Sequence, residues 1–441
     1  MANIGIGTFV EDQHEKHGDP FDLFSSPNVV TELIHGKTTT IYPFGSITDS
    51  GPYEFIVTGD SDFLDMPFTR LNGEIQITKL DGATVTDTEL NAFVNLLPQT
   101  LFKQVECRVG DHQVSDLSTP TYPYKAFLET HLGFTKEQKD IMFKNLEYYI
   151  KDTVEYEETF VINNDSAKSF KEKHGQLKAN EGKIPFSMIL HVDFLNCHKP
   201  LIPHIDVRLK FIRNEDSFSL LGSTKATKIK VNNLTLDVRK LTLDPQLADA
   251  IENKLSSTPA VYPITSGKIK SHIITTGRQT ERVSQIFRGK LPRQIIIGFV
   301  DSGGYDGNIN KNPFKFGNFG INSFQGYING EPITASPFKP KFSTNSYTKE
   351  YRWFLDNLGC YESKNPLDVT YEEFKNNSCF FVYDMSPEWC NLYHQHGNQS
   401  GVFDFDVGFD TALTRNVTAI IYGSFHEVVM IDKSRNVTIV E

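Results

Sequence analysis

The sequence predicts an all-β chain built as two antiparallel sandwiches in tandem. Three observations carry that expectation. Phenylalanine and tyrosine are abundant, 34 and 17, against two tryptophans, and aromatic side chains fill sheet faces and sandwich interiors. Short β-like segments recur at roughly 10–20-residue intervals with turn signals between them and no strand–helix alternation, as in antiparallel sheets. The polar stretch from Glu215 to Lys225 separates two halves of similar length, each a run of strands interrupted by one prominent helix. The expected division is an N-terminal arm over 1–20, a first unit over 21–215 and a second over 216–441.

In the first half the expected strands are Thr38–Phe44, Tyr53–Thr58, Gly73–Leu80, Gln104–Val109 and Ile205–Ile212. Asp81-Gly82 supplies a hairpin turn after the third. Thr135 and Gln138 form a capping-box pair that opens a helix over Lys136–Lys151. Residues 156–183 are charged and polar and read as a long surface loop. In the second half, strands are expected at Lys228–Val231, Leu234–Leu241, Lys268–Thr275, Gln294–Val300, Phe324–Ile328, Cys379–Tyr383, Phe403–Val407, Thr418–Phe425 and Val428–Ile431. Phe403 and Phe405 alternate with Asp404 and Asp406, which sends the rings to one face and the carboxylates to the other. Asp244-Pro245 is an N-cap followed by proline at the first helical position, opening a helix to about Leu255. A third helix, near Lys349–Leu358, ends at Gly359.

Composition narrows the function classes. No apolar run approaches the roughly 18–20 residues that span a bilayer, and the N-terminus lacks the basic and apolar regions of a secretory signal. The expectation is a product made inside the cell, so the Asn-x-Ser/Thr triplets at Asn233, Asn376, Asn398, Asn416 and Asn436 are not expected to carry sugars. Cys107, Cys197, Cys360, Cys379 and Cys390 are odd in number and widely spaced, which favours free thiols over a disulfide framework. A net charge of −11 argues against a surface that wraps nucleic acid. One stretch departs from this balance: residues 225–293 hold 13 Lys/Arg against five Asp/Glu. It could face a genome or an acidic neighbour, although solvated lysines on strand edges are the plainer reading.

Seven blocks carry a resemblance. They are Asp22-Leu-Phe24, Ser46–Phe55, Leu101–Glu106, Thr121–Thr130, Asp237–Lys240, Leu291–Glu331 and Phe425–Val437. In order and spacing, over roughly residues 20–440, the chain resembles the major capsid proteins of Polinton/Maverick elements and adintovirus-like viruses. That resemblance implies a tandem double jelly roll, two eight-stranded antiparallel β-sandwiches with a few short helices. It implies a structural, non-enzymatic protein of the virion capsid. The expected partners are identical subunits in a homotrimer and then a lattice, followed by penton or minor capsid proteins, with no sequence-specific nucleic acid and no cofactor. The arm over 1–20 and the loop over 156–183 match nothing in the family pattern.

For assembly, the loop over 303–320 offers Tyr305, Phe314, Phe316 and Phe319 among five Gly and four Asn, aromatic anchors of the kind interfaces use. The competing reading is that these rings cap their own barrel. Tyr122 and Tyr124 pose the same choice, with internal packing preferred.

Catalytic and metal chemistry find little support. Cys390, His394 and His396 are the best metal-like set, with Cys379 eleven residues earlier, but the paired spacing of a structural zinc site is missing. Asp301–Asn310 resembles a calcium loop without its carboxylate spacing. Asp404, Asp406 and Asp410 are explained by strand alternation, and His191, His198 and His204 lie near Asp193 and Cys197 in a segment broken by Pro200 and Pro203. Two other readings stay open: a β-sandwich module binding a carbohydrate or other ligand through the aromatic loops, and a hydrolase using the Cys390/His394/His396 set.

Overall fold

The computed structural model describes residues 33–86, 91–115, 121–149, 168–222, 227–359, 367–386 and 399–440. Two four-stranded sheets make the first barrel. One holds β1 (Leu33–Ile41), β3 (Phe63–Lys79), β7 (Lys183–Ile189) and β10 (Thr227–Leu243), in the spatial order β1-β10-β3-β7. The other holds β2 (Tyr53–Val57), β5 (Phe102–Val109), β6 (His112–Gln113) and β8 (Val207–Arg213), in the order β2-β8-β5-β6. A short ribbon of β4 (Asn91–Phe93) and β9 (Leu220–Gly222) lies outside them.

The second barrel repeats the plan. Its sheets are β11-β18-β13-β16 and β12-β17-β14-β15. The strands are β11 (Ala260–Ile274), β12 (Thr280–Lys290), β13 (Gln294–Asp301), β14 (Ile321–Ile328), β15 (Glu331–Pro332), β16 (Phe380–Asp384), β17 (Ser400–Phe409) and β18 (Val417–Ile431), with β19 (Val437–Val440) added to β18. Counted within either barrel, the strands run first-eighth-third-sixth in one sheet and second-seventh-fourth-fifth in the other. This is the jelly-roll arrangement, made twice, and all the strand pairs are antiparallel.

Alternation builds the interiors. Phe403 and Phe405 are fully buried while Asp404 and Asp406 sit half-buried on the other face. Phe405 meets Phe299 and Phe324 from the other strands of its barrel, at 6.3 and 5.3 Å between ring centroids. Arg282 lies 3.6 Å from each of Asp404 and Asp406 on the outer face. In the first barrel Phe55, Phe102 and Phe211 make the equivalent cluster.

Helices fill connections. They are α1 (Leu97–Thr100), α2 (Tyr122–Gly133), α3 (Lys136–Met142), α4 (Lys168–Lys178), α5 (Asp216–Ser219), α6 (Pro245–Leu255), α7 (Ser302–Tyr305), α8 (Thr348–Asn357) and α9 (Tyr371–Asn376). The longer inserts fall at one place in both barrels: α2 to α4 between the fifth and sixth strands of the first, α8 and α9 between the fifth and sixth of the second. Asp244 caps α6 through Gln246 N–H as the sequence indicates, and Gly359 takes its positive φ after α8.

Several expectations are corrected. The division at 215/216 does not follow the sheets, because β10 lies beyond it and is hydrogen-bonded between β1 and β3. The capping box at Thr135 forms, but α3 stops at Met142 instead of running to Lys151, and Glu147 turns the chain with φ +55. The stretch read as a loop over 156–183 contains α4, whose buried positions Phe170, Lys173, His174 and Leu177 are spaced as one helix face. Asp81-Gly82 does turn the chain, with Lys79 N–H bonded to the Ala83 carbonyl, but among the described residues the strand partners of β3 are β10 and β7. The arm over 1–20 and the block at Asp22 lie outside the described residues.

Alternation on β17 makes a measurable contrast. Phe405→Ala should cost about 3–5 kcal/mol of unfolding free energy, the usual loss for a buried ring. Asp406→Asn, which removes one side of a half-exposed ion pair, should cost under about 1 kcal/mol. Equal costs in chemical denaturation would show that the two faces are not distinguished.

Candidate functional site

The chemistry-bearing side chains converge on the seam where the two barrels meet, and α2 is its centre. Ten of the twelve residues of α2 are buried, so the helix is enclosed on all sides. Its rings pack across the seam: Tyr124 stacks on Tyr305 at 5.6 Å and meets Phe314 edge-on at 5.6 Å, and Phe127 lies parallel to Phe314 at 4.5 Å. Phe316 continues the stack to Phe380 at 4.7 Å. Backbone fit is tight here, since a Cβ on Gly298 would stand 2.5 Å from Phe316 Cδ1.

This places the six aromatic residues singled out from the sequence. Phe314, Phe316, Tyr122 and Tyr124 are buried within the chain; Tyr124, Phe314 and Phe316 pack across the seam, and Tyr122 bonds Gln99 and His191 within the first barrel. They are not available as anchors for a neighbouring copy, because burial inside one subunit has already removed them from the surface. Tyr305 and Phe319 are half-buried, the latter under the Arg415 guanidinium at 5.5 Å. Exposed apolar side chains stand elsewhere, among them Ile34, Tyr42, Phe44 and Ile141, at 61, 71, 75 and 80%.

Polar groups cross the same seam. Glu129 on α2 accepts hydrogen bonds from His191 Nδ1 at 2.7 Å and from Tyr422 of the second barrel at 3.2 Å. Lys125, one turn earlier, donates to Asp193 at 2.5 Å and stands 3.9 Å from Glu129. Burial and the neighbouring Glu129 carboxylate push the Asp193 carboxyl up to about 6 against the pull of Lys125. Tyr122 donates to Gln99, which holds the helix to α1. A small cleft borders the group, lined by Ser115, Thr121, Tyr122, His191, Asp193 and Gly267. Sequence reading set His191 and Asp193 aside as loop residues and did not see α2, whose enclosure on every side erases any amphipathic period.

Two residues beyond Glu129, near the C-terminal end of α2, His131 bridges Tyr148 and Ser378, each at 3.0 Å. Fully buried Lys139 donates to the His131 carbonyl at 2.5 Å and to Asp368 at 2.6 Å. Burial, with Lys139 adding to it, pushes the His131 imidazole down to about 3.

The other candidates resolve as follows. Cys390, His394 and His396 lie outside the described residues. Among the described residues no three His, Cys, Asp or Glu side chains are placed to hold a metal ion. Cys107, Cys197 and Cys379 are free and buried, and burial raises all three thiols, Cys107 to about 12, which makes them poor nucleophiles. Asp301 is occupied capping α7 through Gly303 N–H and pairing with Arg415. In the cation-rich stretch over 225–293, Arg239, Lys240, Lys268 and Arg282 pair with Asp65, Asp60, Glu427 and Asp404, all from outside it. Part of its local excess of charge is met by carboxylates from distant parts of the chain. No helix of the described residues is long and apolar enough to cross a membrane.

The fold and seam together define a double jelly-roll protein. No family model matches the sequence. An uncharacterized protein of Caenorhabditis elegans is 23% identical over 430 residues, covering 93% of this chain and 98% of that one. Viral chains are among the solved structures similar in fold. A chain of the Sputnik virophage has a TM-score of 0.62 at 11% identity, covering 100% of this chain and 94% of its own. A chain of the PBCV-1 virus capsid gives 0.59 at 11% identity, with 95% and 99% covered, and the mavirus major capsid protein gives 0.55 at 8%, with 98% and 95%.

The His131 imidazole sets a pH response. In the unfolded chain it takes a proton near its ordinary 6.5 and in the folded chain only near 3, so the stability it contributes is present above about 6.5 and is lost as pH falls toward 3. His131→Gln, which has no titrating ring, should show a smaller drop in Tm between about pH 6.5 and 4 than the unaltered chain. Identical drops by circular dichroism would exclude His131 as the source.

Proposed function

We propose that this chain is a structural major capsid protein whose copies associate as homotrimeric, pseudo-hexagonal capsomers of an icosahedral shell. The observation that carries this reading is the repeated jelly roll: two barrels with the same strand order, similar over nearly their whole length to chains of viral capsids. Two like barrels per subunit give a trimer six similar corners, which suits hexagonal tiling. The seven sequence blocks favour the Polinton/Maverick and adintovirus lineage within that class. The buried seam supports a rigid subunit in which both barrels act as one body.

On this reading the working units are a first barrel over residues 33–243 and a second over 260–431, joined by α6. Copies of the chain are its first partners, then penton or minor capsid proteins, and its location is the virion capsid. The function is mechanical and needs no catalytic group or cofactor. Copy-to-copy contacts would be drawn from what the subunit leaves exposed, including Ile34, Tyr42, Phe44 and Ile141, and from the half-buried Tyr305 and Phe319.

Light scattering on the purified chain after size-exclusion chromatography tests the reading. The expected species has three times the 50.0 kDa chain mass, about 150 kDa, or forms particles that dissociate to it. A clean monomer across a wide concentration range would overturn the proposal and turn attention to ligand binding.

A further inference from the structure

Two Asn-Gly pairs occur in the sequence, Asn72-Gly73 and Asn329-Gly330. Such a pair can lose ammonia unaided, because glycine has no Cβ to keep its nitrogen away from the asparagine Cγ. The fold treats the two pairs oppositely. Asn72 lies in β3 between β10 and β7 and donates to Asp237 at 2.6 Å. The glycine after it has no room, since a Cβ there would stand 2.6 Å from the Asn233 carbonyl oxygen. Asn329 and Gly330 are the exposed two-residue turn between β14 and β15, with φ +53 and +85, as a tight hairpin turn requires. Space around Gly330 is open: a Cβ there would meet nothing within 4 Å. The electrophile is held as well. The Val402 N–H donates to Asn329 Oδ1 at 2.9 Å, the atom on which negative charge collects when Cγ is attacked. The Asn329 N–H donates back to the Val402 carbonyl at 2.9 Å.

We propose that Asn329 is a site of spontaneous modification, where the side-chain amide is lost by ring closure onto Gly330 and β15 is released from its sheet. The Gly330 nitrogen forms a bond to Asn329 Cγ, and its proton passes through solvent to Nδ2. The Cγ–Nδ2 bond breaks and Nδ2 leaves as ammonia. Water then opens the cyclic imide at one of its two carbonyls, giving aspartate or isoaspartate and one new negative charge. The isoaspartate form carries the main chain through the side-chain carbon, which lengthens a turn that has no residue to spare. β15 is two residues long and pairs with β14, and the Ile333 N–H beyond it is bonded to the Gly326 carbonyl at 2.9 Å. So short a strand has little else to hold its register once the turn is stretched. The inference needs only the folded chain and is independent of the assembly reading.

The test incubates the full-length chain at mildly alkaline pH and follows both pairs by peptide mapping with mass spectrometry. Residue 329 should gain the mass of an amide-to-acid conversion, divided between aspartate and isoaspartate. Its rate should exceed that of residue 72 by more than about tenfold, because ring closure at Asn72 waits for the sheet to open. Asn329→Gln, whose longer side chain closes its ring slowly, should remove the fastest acidic shift of the intact chain on ion exchange. An Asn329 that stays intact, or converts no faster than Asn72, overturns the proposal. Hydrogen exchange on the converted fraction then reads the strand. The Ile333 amide should be less protected than in fresh protein, and unchanged protection overturns the release of β15.

Discussion

The structure depends on one enclosed helix. Each barrel can close by its own strand pairing, but the two are held as a pair by α2, which belongs to the first and is buried against both. Rings and charges divide the work along it. The Tyr124 and Phe127 stack supplies contact area, which is non-directional and would tolerate a small slip of one barrel over the other. The Glu129 and His131 contacts, two residues apart toward the C-terminal end of the helix, are directional, and a slip would leave buried polar groups without partners. Apolar area holds the barrels together, and the polar pins fix their register.

Legibility in the sequence followed the same division. Strands were readable because half-buried sheets write themselves as alternation, as on β17, and α6 and α8 because caps and terminal glycine mark their ends. α2 was invisible: a helix buried all round has no polar face to reveal its period, and Pro123 near its start reads as a turn. α4 was hidden for the opposite reason, with Lys173 and His174 standing at inward positions. Lys173 lies over the rings of Phe93 and Tyr149 at 5.4 and 4.9 Å, so its charge disguised a core-facing site. The candidate site was the least legible part. Lys125, Glu129, His191 and Asp193 meet only because α2 and the residues after β7 are brought together by the fold, and no local spacing encodes that.

Charge distribution offers a second lesson in reading long strands. A run of cations in the sequence looked like a patch, yet neighbouring strands in a jelly roll come from distant parts of the chain. Lys240 meets Asp60, and Lys268 meets Glu427. Sequence clustering of charge says little about surface potential in a fold whose contacts are so non-local.

That non-locality also governs how the chain is made. Among the described residues β1 has one sheet neighbour, β10, and the pair runs from Leu33 against Leu243, so the first barrel cannot close until some 210 further residues have left the ribosome. At about 5–20 residues per second, this is a wait of roughly 10–40 s with unpaired strand edges exposed. The second barrel repeats the delay, since β11 waits for β18. Through that interval the open strand edges can pair with those of other unfinished copies, so the yield of folded chain depends as much on what shields those edges as on the final stability of the barrels.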